Sequence, residues 1–345
     1  MADNPKFIVT PAPHLKGRYS IPKIMYAVVL ALIPELVFAT YLFGPRALIL
    51  TLIAVASAAA TEAAIQAIRK TPITALDGSA IITGMLLAFN LPPGVPYWMP
   101  VVGAFVGIAI GKQAFGGLGY NPLNPALIGR AFLMASWPVQ MTTLWIPPKG
   151  GTLSGVAAVT TATPLNAFKL AAKVVHDPAS GAEKISQAHQ TIEGLYSGWQ
   201  NMFWGKIGGC IGETSAALII LTGLILIIVG IVDWRIPVSY IGTVALLGWM
   251  LGGETGLFNG NVAFQLFTGG LMLGAFFMAT DMVTSPITAK GRWIFGIGAG
   301  VLTVLIRRFG GYPEGVSYSI LLMNITVPLI DRWTKPRTFG EVKKK

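Results

Sequence analysis

Charged residues are scarce in this sequence. Only 11% of its 345 residues are Asp, Glu, Lys or Arg, whereas a typical soluble domain has about 25%. Hydrophobic residues make up 53% of the chain, and apolar runs of roughly 20 residues, the length that crosses a lipid bilayer, recur along it. The sequence therefore excludes a water-soluble enzyme and predicts a helical membrane protein with several spans.

Cysteine is nearly absent. The single cysteine, Cys210, excludes an internal disulfide and any iron–sulfur cluster or zinc site built by this chain alone. The three histidines lie in polar segments without ligand spacing. The first twenty residues lack an apolar core and a small-residue cleavage site, so we predict no removable signal peptide.

Acidic residues are fewer than basic ones. There are 14 Asp and Glu against 25 Lys and Arg, which gives a net charge of +11. The basic residues concentrate near the two ends of the chain, as cytoplasmic flanks of membrane spans do. We therefore predict a membrane protein with both termini cytoplasmic and with lipid, not nucleic acid, as its partner. Arg307 and Arg308 fall near a predicted outer end and depart from this rule.

Ten apolar segments can be marked along the chain. Their approximate limits are 22–43, 47–67, 78–91, 96–113, 123–137, 207–231, 236–252, 261–280, 293–306 and 315–332. We predict a cytoplasmic segment over 1–21, five helices over 22–137, an extracytoplasmic loop over 138–206, five further helices over 207–332 and a basic cytoplasmic tail over 333–345. The short third and fifth segments are bounded by Asn and Pro, which indicates half-helices that end inside the protein.

Two parts of the sequence resemble each other. Residues 110–117 (IGKQAFGG) are similar to residues 305–311 (LIRRFGG), and each stretch is followed by a tyrosine, a proline and another apolar segment. Because five spans per repeat is an odd number, the two halves would run in opposite directions. We therefore predict an all-α polytopic membrane protein built from two inverted five-helix repeats with broken half-helices, which places a site between the halves. Chance similarity of glycine-rich apolar sequence is the alternative.

Thr163 stands directly before Pro164 in the long polar loop, and the residues that follow read as a short helix. Threonine before proline at a helix start predicts an N-cap and the first helical position. The free N–H groups of that turn and the helix dipole favour an anion, and Lys169 adds positive charge nearby. The Thr163 hydroxyl is thus well placed to carry a phosphate ester, although simple helix capping also explains it.

A glycine-rich loop with Gly116, Gly117, Asn121 and Asn124 precedes a helix that contains Arg130. Its glycines permit tight turns and close backbone approach. No strand precedes the loop and no Gly-Lys-Ser/Thr follows it, so it is neither a Walker loop nor a dinucleotide fingerprint. A re-entrant turn and a part of a cofactor site are its two interpretations.

Three acids, Glu35, Glu62 and Glu213, lie within apolar segments, and Thr214 follows the last of them. A charged residue at the centre of a membrane helix costs about 2.5 to 3.5 kcal/mol on insertion scales, so such residues face the protein interior or a cavity. They serve either in ion or proton transfer or as neutral, hydrogen-bonded packing groups.

Asp281 closes the eighth segment beside Thr280 and Thr284. Their carboxylate and hydroxyl oxygens are hard ligands of the kind that suits Na⁺. A helix end capped by polar side chains is the other interpretation of the same three residues.

Four of these sequence stretches resemble signatures of the RnfD/NqrB family of respiratory membrane subunits, and the similarity extends over about residues 18–335. In that family, the last threonine of a Ser/Thr-Gly-Ala-Thr pattern is esterified to the phosphate of FMN. The resemblance implies covalent FMN on Thr163, with Pro164 after it. Thr160 takes the place of the serine and Thr161 that of the glycine.

The same resemblance implies roles for the other motifs. The glycine-rich half would help to hold a second, non-covalent flavin, reported as riboflavin, and the Glu213 turn would lie near the covalent FMN. The chain, closest to the RnfD branch, would carry electrons in a complex that couples ferredoxin:NAD oxidoreduction to Na⁺ or H⁺ movement. Its partners would be the flavin-bearing G subunit and the membrane A and E subunits.

Two other functions are compatible with the same sequence. Inverted five-helix repeats also occur in urea and ammonium channels, so a redox-free small-solute channel is the first alternative. A structural membrane scaffold whose flavin site has decayed is the second, because the Thr160–Thr161 pair departs from the family pattern.

Overall fold

The computed structural model describes residues 20–146, 148, 163–177, 181–253, 256–311 and 314–336. Thr160 and Thr161, almost all of the predicted N-terminal segment and most of the predicted basic tail lie outside these residues. Within the described residues, every regular element is helical, which confirms the predicted all-α class.

Fifteen helices are assigned in the described ranges. In chain order they are α1 (Ile21–Phe43), α2 (Pro45–Ile68), α3 (Ser79–Phe89), α4 (Trp98–Ala109), α5 (Pro125–Ser136), α6 (Pro138–Thr143), α7 (Pro164–His176), α8 (Ala182–Ser197), α9 (Trp199–Trp204), α10 (Ala216–Val229), α11 (Arg235–Leu251), α12 (Val262–Phe267), α13 (Leu271–Leu273), α14 (Ala289–Phe309) and α15 (Val316–Trp333). A π-helical segment, Gly274–Met278, continues α13.

Four helical segments of the described chain are long and apolar enough to cross a membrane: Ile21–Phe43, Pro45–Ile68, Trp98–Phe115 and Ala289–Phe309. Four more apolar helices, α3, α5, α10 and α11, are shorter, with 10 to 17 residues each. This supports a multi-pass membrane protein. The count of ten spans and the inverted arrangement of the halves stay predictions.

Helices α3 and α5 have only 11 and 12 residues. At 1.5 Å per residue each extends about 17 Å, well short of the ~30 Å hydrocarbon layer. Asn124 begins α5, where its side-chain oxygen accepts the N–H groups of Ala126 and Leu127 at 3.0 and 3.4 Å. The two segments with Asn- and Pro-rich flanks are therefore short helices, and their ending at membrane depth stays a prediction.

Two of the predicted continuous segments are broken. The sixth was placed over 207–231, but its helix begins only at Ala216, after a 3₁₀ turn at Ile211–Glu213. The eighth was placed over 261–280, and it divides between α12 and α13 at Gly269 and Gly270, with φ of +67° and +65°. Hydropathy does not register these breaks, because glycine is compatible with an apolar run and yet permits a left-handed turn.

Small residues bring neighbouring helices into close contact, as is common in membrane proteins. A Cβ atom added at Gly84 of α3 would lie 2.5 Å from the Cα atom of Val55 in α2. A Cβ atom added at Gly129 of α5 would lie 2.4 Å from the carbonyl oxygen of Gly103 in α4. The helices α2 to α5 therefore pack backbone against backbone.

Replacing Gly84 with alanine is expected to destabilise the protein by about 1–3 kcal/mol, the range for overpacking, because the backbone of α2 cannot move away without disturbing its other contacts. Thermal unfolding of the detergent-purified protein measures the effect. Gly194→Ala is the matched control, since nothing lies within 4 Å of the added atom and alanine favours an exposed helix. An unchanged midpoint for Gly84→Ala would show that the two helices are not held in this close contact.

Candidate functional site

Thr163 caps helix α7. Its backbone is extended, with φ −65° and ψ 152°, and its Oγ1 accepts the N–H of Asn166 at 3.3 Å. Pro164 occupies the first helical position. A backbone N–H at this position has no partner inside the helix, so proline, which lacks the N–H, loses no hydrogen bond there. Thr163 is buried, with 4% of its surface exposed. The predicted N-cap is therefore confirmed.

Thr163 lies on the wall of a cavity of about 320 Å³, within the range of small-molecule and cofactor sites. The cavity is enclosed by residues from α5, α6, the start of α7 and the start of α15. The polar or charged residues on its wall are Arg130, Thr142, Thr143, Thr163, Asn166, Glu314, Ser317 and Tyr318. A buried threonine at a helix N-terminus thus lines a space large enough for an organic ligand.

Arg130 is the buried cation of this cavity, and 5% of its surface is exposed. One guanidinium nitrogen donates to Asn90 Oδ1 at 2.6 Å and to Ser317 Oγ at 2.8 Å. The other terminal nitrogen donates to the carboxylate of Glu314, with which it forms a salt bridge. These contacts join α3, α5 and α15 and fix the position of the charge beside the cavity.

The turn that contains Glu213 and Thr214 lies behind the cavity and does not form its wall. The Thr214 hydroxyl donates to Glu35 Oε1, and the Ser215 N–H donates to the same oxygen at 3.2 Å. Cys210, Glu213 and Glu314 have one ligand-type atom each within 4.8 Å of one another. Glu314 therefore connects this turn to the Thr163 cavity, whereas Glu35 uses its hydrogen bonds to hold the turn.

The glycine-rich loop borders a second cavity of about 90 Å³. Gly116 and Gly117 have φ of +119° and +101°, which explains why glycine is required there, but neither lines this cavity. Asn121 and Asn124 do line it, together with Ser79, Lys112, Thr280 and Asp281. The structure thus brings the two asparagines of the loop to the predicted sodium residues, and it places Arg130 at the other cavity.

Lys112 is the charged group that is most deeply buried beside this second cavity. Its Nζ lies 2.7 Å from Glu62 and 2.6 Å from Ser79 Oγ, and Gln113 Nε2 donates to Glu62 at 3.0 Å. The cation and the acid compensate each other, so Glu62 is a hydrogen-bonded partner of Lys112 rather than an isolated acid.

Asp281 closes a turn. Its oxygens accept the N–H of Val283 at 3.3 Å and the hydroxyl of Thr284 at 3.1 Å. The Thr280 hydroxyl instead donates to the Phe276 carbonyl at 2.6 Å. Thr280 and Asp281 line the second cavity and Thr284 does not, so the three predicted ligands do not all face one space. The sodium site stays a prediction.

Lys169 does not line the Thr163 cavity. Its ammonium donates to the Gly310 carbonyl, and it lines a third cavity with Arg307 and Arg308. Partial burial, and then the nearby charge of Lys173, lower the pKa of Lys169. The charge of Lys169 therefore belongs to a different surface of the protein than the Thr163 hydroxyl.

Sequence patterns gave no site role to Asn90, Glu314 and Ser317, the three partners of Arg130. One signal was available for Glu314, which stands in a largely apolar stretch, as Arg130 does. A buried base needs a buried acid because an unpaired charge is costly away from water. The distance of 184 residues between the two hides this pairing from any local pattern.

Comparison with known proteins gives a consistent picture. The profile of the NQR2, RnfD, RnfE family matches residues 8–340. The chain is 49% identical, over 97% of its length and 96% of the relative, to the D subunit of the proton-translocating ferredoxin:NAD(+) oxidoreductase complex of Clostridium ljungdahlii. It is 47% identical, over 97% and 96% of the two chains, to the D subunit of the Na(+)-translocating ferredoxin:NAD(+) oxidoreductase complex of Acetobacterium woodii.

A more distant relative is the D subunit of the ion-translocating oxidoreductase complex of Cronobacter sakazakii, 39% identical over 97% of this chain and 99% of the relative. The family profile and these relatives all extend over nearly the whole sequence, including the helices that enclose the Thr163 cavity. The chain belongs to the NQR2, RnfD, RnfE family.

Proposed function

We propose that this chain is the D subunit of a membrane-bound ferredoxin:NAD oxidoreductase complex that moves Na⁺ or H⁺, and that it carries FMN esterified to Thr163. The relatives that carry this name match 96% of their own length to this chain. The observation that supports the flavin is the position of the Thr163 hydroxyl, at a helix N-cap on the wall of a cavity of about 320 Å³.

The residues around Thr163 fit a phosphate ester. The first turn of α7 presents backbone N–H groups, and the dipole of the helix favours negative charge at this end. The Asn166 N–H already points at Thr163 Oγ1, the atom that would carry the ester bond. An ester here would place the rest of the cofactor in the adjoining cavity, with Arg130 and Tyr318 among its walls.

FMN would supply the ability to accept one or two electrons, and the protein would set its position and potential. Arg130 would place a fixed positive charge beside it, while the bond to Glu314 keeps that side chain from moving. The lining from Met134, Met141 and Trp145 would limit the access of water. A covalent link also removes any binding equilibrium, so every mature chain would stay loaded.

The remaining parts of the proposal concern the assembly. The two termini would be cytoplasmic in the bacterial inner membrane and the Thr163 loop would lie outside. The partners would be the G subunit, which carries its own covalent flavin, and the membrane A and E subunits. A second, non-covalent flavin such as riboflavin stays part of the proposal, but the cavity near Asn121, Asn124 and Lys112, at about 90 Å³, is too small to hold it, since cofactor sites measure about 300–1,000 Å³. Asp281 would contribute to an Na⁺ path.

Thr163→Ala is expected to give an assembled protein without covalent flavin, because the acceptor oxygen is removed. Loss of one N-cap hydrogen bond costs about 0.5–2 kcal/mol, which a packed membrane protein tolerates. The chain is expressed with its flavin transferase, and its in-gel fluorescence and intact mass are recorded. Thr163→Ser and the exposed Thr191→Ala are the controls, and both are expected to retain the flavin.

Covalent flavin on Thr163→Ala, or an unmodified parent chain, would overturn the attachment site. Thr161→Gly tests the decayed-scaffold alternative. If that alternative is correct, the parent chain lacks flavin and flavin appears only after glycine is restored. An unmodified mass for both the parent and Thr161→Gly would instead favour the redox-free channel.

A further inference from the structure

Arg307 is a buried cation near the end of α14, and 9% of its surface is exposed. Its Nη1 donates to the carbonyl and the side-chain oxygen of Gln265 at 2.6 and 3.2 Å, and its Nη2 donates to the Thr268 carbonyl at 2.8 Å. These bonds satisfy carbonyl groups at the end of the broken helix α12. Its Nε is also buried but has no hydrogen-bond partner among the described residues.

Lys112 is another buried cation of this protein, and it has a counter-ion. Lys112 is paired with the Glu62 carboxylate at 2.7 Å. The hydrogen-bond acceptors of Arg307 are all neutral. A buried charge without a close counter-charge is unfavourable. Glu213 and Glu314 act on Arg307 through their charge without a hydrogen bond or ion pair to it, so within the described residues Arg307 has its carbonyl contacts but no contacting anion.

Arg307 lines a cavity of about 70 Å³ between α7, α11 and α14. Two further basic residues, Lys169 and Arg308, are on its wall, and no acidic residue is among the described residues that line it. The rest of the wall is mainly apolar, with Leu165, Phe168, Ala172, Leu251, Gly252 and Val304. The wall of the cavity thus combines three cationic side chains with a mainly apolar lining.

We propose that this cavity binds the phosphate group of an anionic phospholipid. The guanidinium and ammonium groups match phosphate oxygens, for which arginine is the preferred partner, and the apolar wall matches the first part of an acyl chain. Inorganic phosphate would use only the cationic side chains. The site also accounts for Arg307 and Arg308 at the end of α14 that contacts the Thr163 loop, where the distribution of basic residues does not predict them.

The experiment uses the intact detergent-purified complex that contains this chain. Bound lipid is identified by native mass spectrometry, and the thermal unfolding midpoint is followed on addition of phosphatidylglycerol, phosphatidylcholine or inorganic phosphate. Phosphatidylglycerol is expected to co-purify and to raise the midpoint more than the other two. Equal shifts with phosphatidylcholine would overturn the proposal, and equal shifts with inorganic phosphate would overturn the lipid as the source of the phosphate.

Arg308→Gln and Arg307→Lys are expected to weaken phosphatidylglycerol retention about tenfold each, the effect of losing one charge-assisted hydrogen bond. Lys184→Gln, an exposed residue of α8 outside the cavity, is the control for net charge. If Arg307→Lys fails to assemble because it no longer holds α12, phosphatidylglycerol retention by Arg308→Gln is the test of the site. Unchanged retention in Arg308→Gln contradicts the site.

Glu254 provides a final test because it follows Gly253, whose carbonyl accepts from Arg308 at 2.9 Å, and itself lies outside the described residues. Glu254→Gln is expected to leave phosphatidylglycerol retention unchanged or stronger. Retention that appears only in this variant would show that a carboxylate of the chain neutralises the cavity, and the proposal would fail. None of these readouts depends on a flavin at Thr163.

Discussion

Arg130→Met is expected to destabilise the protein by about 3–5 kcal/mol, the range for removing one partner of a buried ion pair. The substitution leaves the Glu314 carboxylate without its counter-charge, and it takes the donors from Asn90 and Ser317. Since whole domains are stable by only about 5–15 kcal/mol, we expect a sharply lower yield of assembled protein. Thermal unfolding in detergent and the amount of extracted monodisperse protein measure the loss.

The double variant Arg130→Met with Glu314→Leu is the control that identifies the cause. A buried ion pair replaced by apolar residues of similar volume is often neutral in stability, so the double variant should recover much of what either single variant loses. If Arg130→Met unfolds at the temperature of the parent, the salt bridge does not join α5 to the start of α15. If the double variant is no better than the single one, shape rather than charge explains the loss.

Glu62→Ala is expected to be comparably damaging at the second cavity. Lys112 has 1% of its surface exposed, so removal of Glu62 leaves a buried ammonium group whose remaining hydrogen-bond partner among the described residues is the Ser79 hydroxyl. The Gln113 amide loses its acceptor at the same time. The expected loss is again about 3–5 kcal/mol, measured as a fall in the unfolding midpoint.

Replacing both Glu62 and Lys112 with apolar residues tests whether the unpaired charge causes this loss. Glu62→Leu combined with Lys112→Met should be far more stable than Glu62→Ala, while the exposed Glu193→Ala on α8 should have no measurable effect. A parent-like midpoint for Glu62→Ala would mean that Lys112 reaches water and is not buried as described. If the Glu62 and Lys112 double variant has as much of the flavin proposed at Thr163 as the parent, the second cavity is independent of the Thr163 site.

Local signals in the sequence predicted the elements that depend on near neighbours. Thr163 caps α7 as expected, because capping needs only a hydroxyl and the N–H three residues ahead. The short α3 and α5 follow from their bounding Asn and Pro residues in the same way. By contrast, the breaks at Glu213 and at Gly269 were missed, because an apolar average over a span does not detect where the backbone turns.

The positions of charged side chains were less accessible to prediction. Lys169 was expected beside Thr163 from its place in the chain, and the structure places it in the lining of a different cavity, together with Arg307 and Arg308. The helix periodicity separates residues six positions apart onto different faces. Which face meets the cavity is decided by the helices that pack against α7, and sequence separation does not contain that information.

The sequence by itself determined that this protein is helical and membrane-bound and that Thr163 begins a helix, because composition and capping act over one span or one turn. The tertiary structure alone decided that Arg130 pairs with Glu314 and that Lys112 pairs with Glu62. It also decided that Arg307 has no contacting carboxylate among the described residues. A charge buried away from water must find its partner through space, and the packing of distant helices sets where that partner lies.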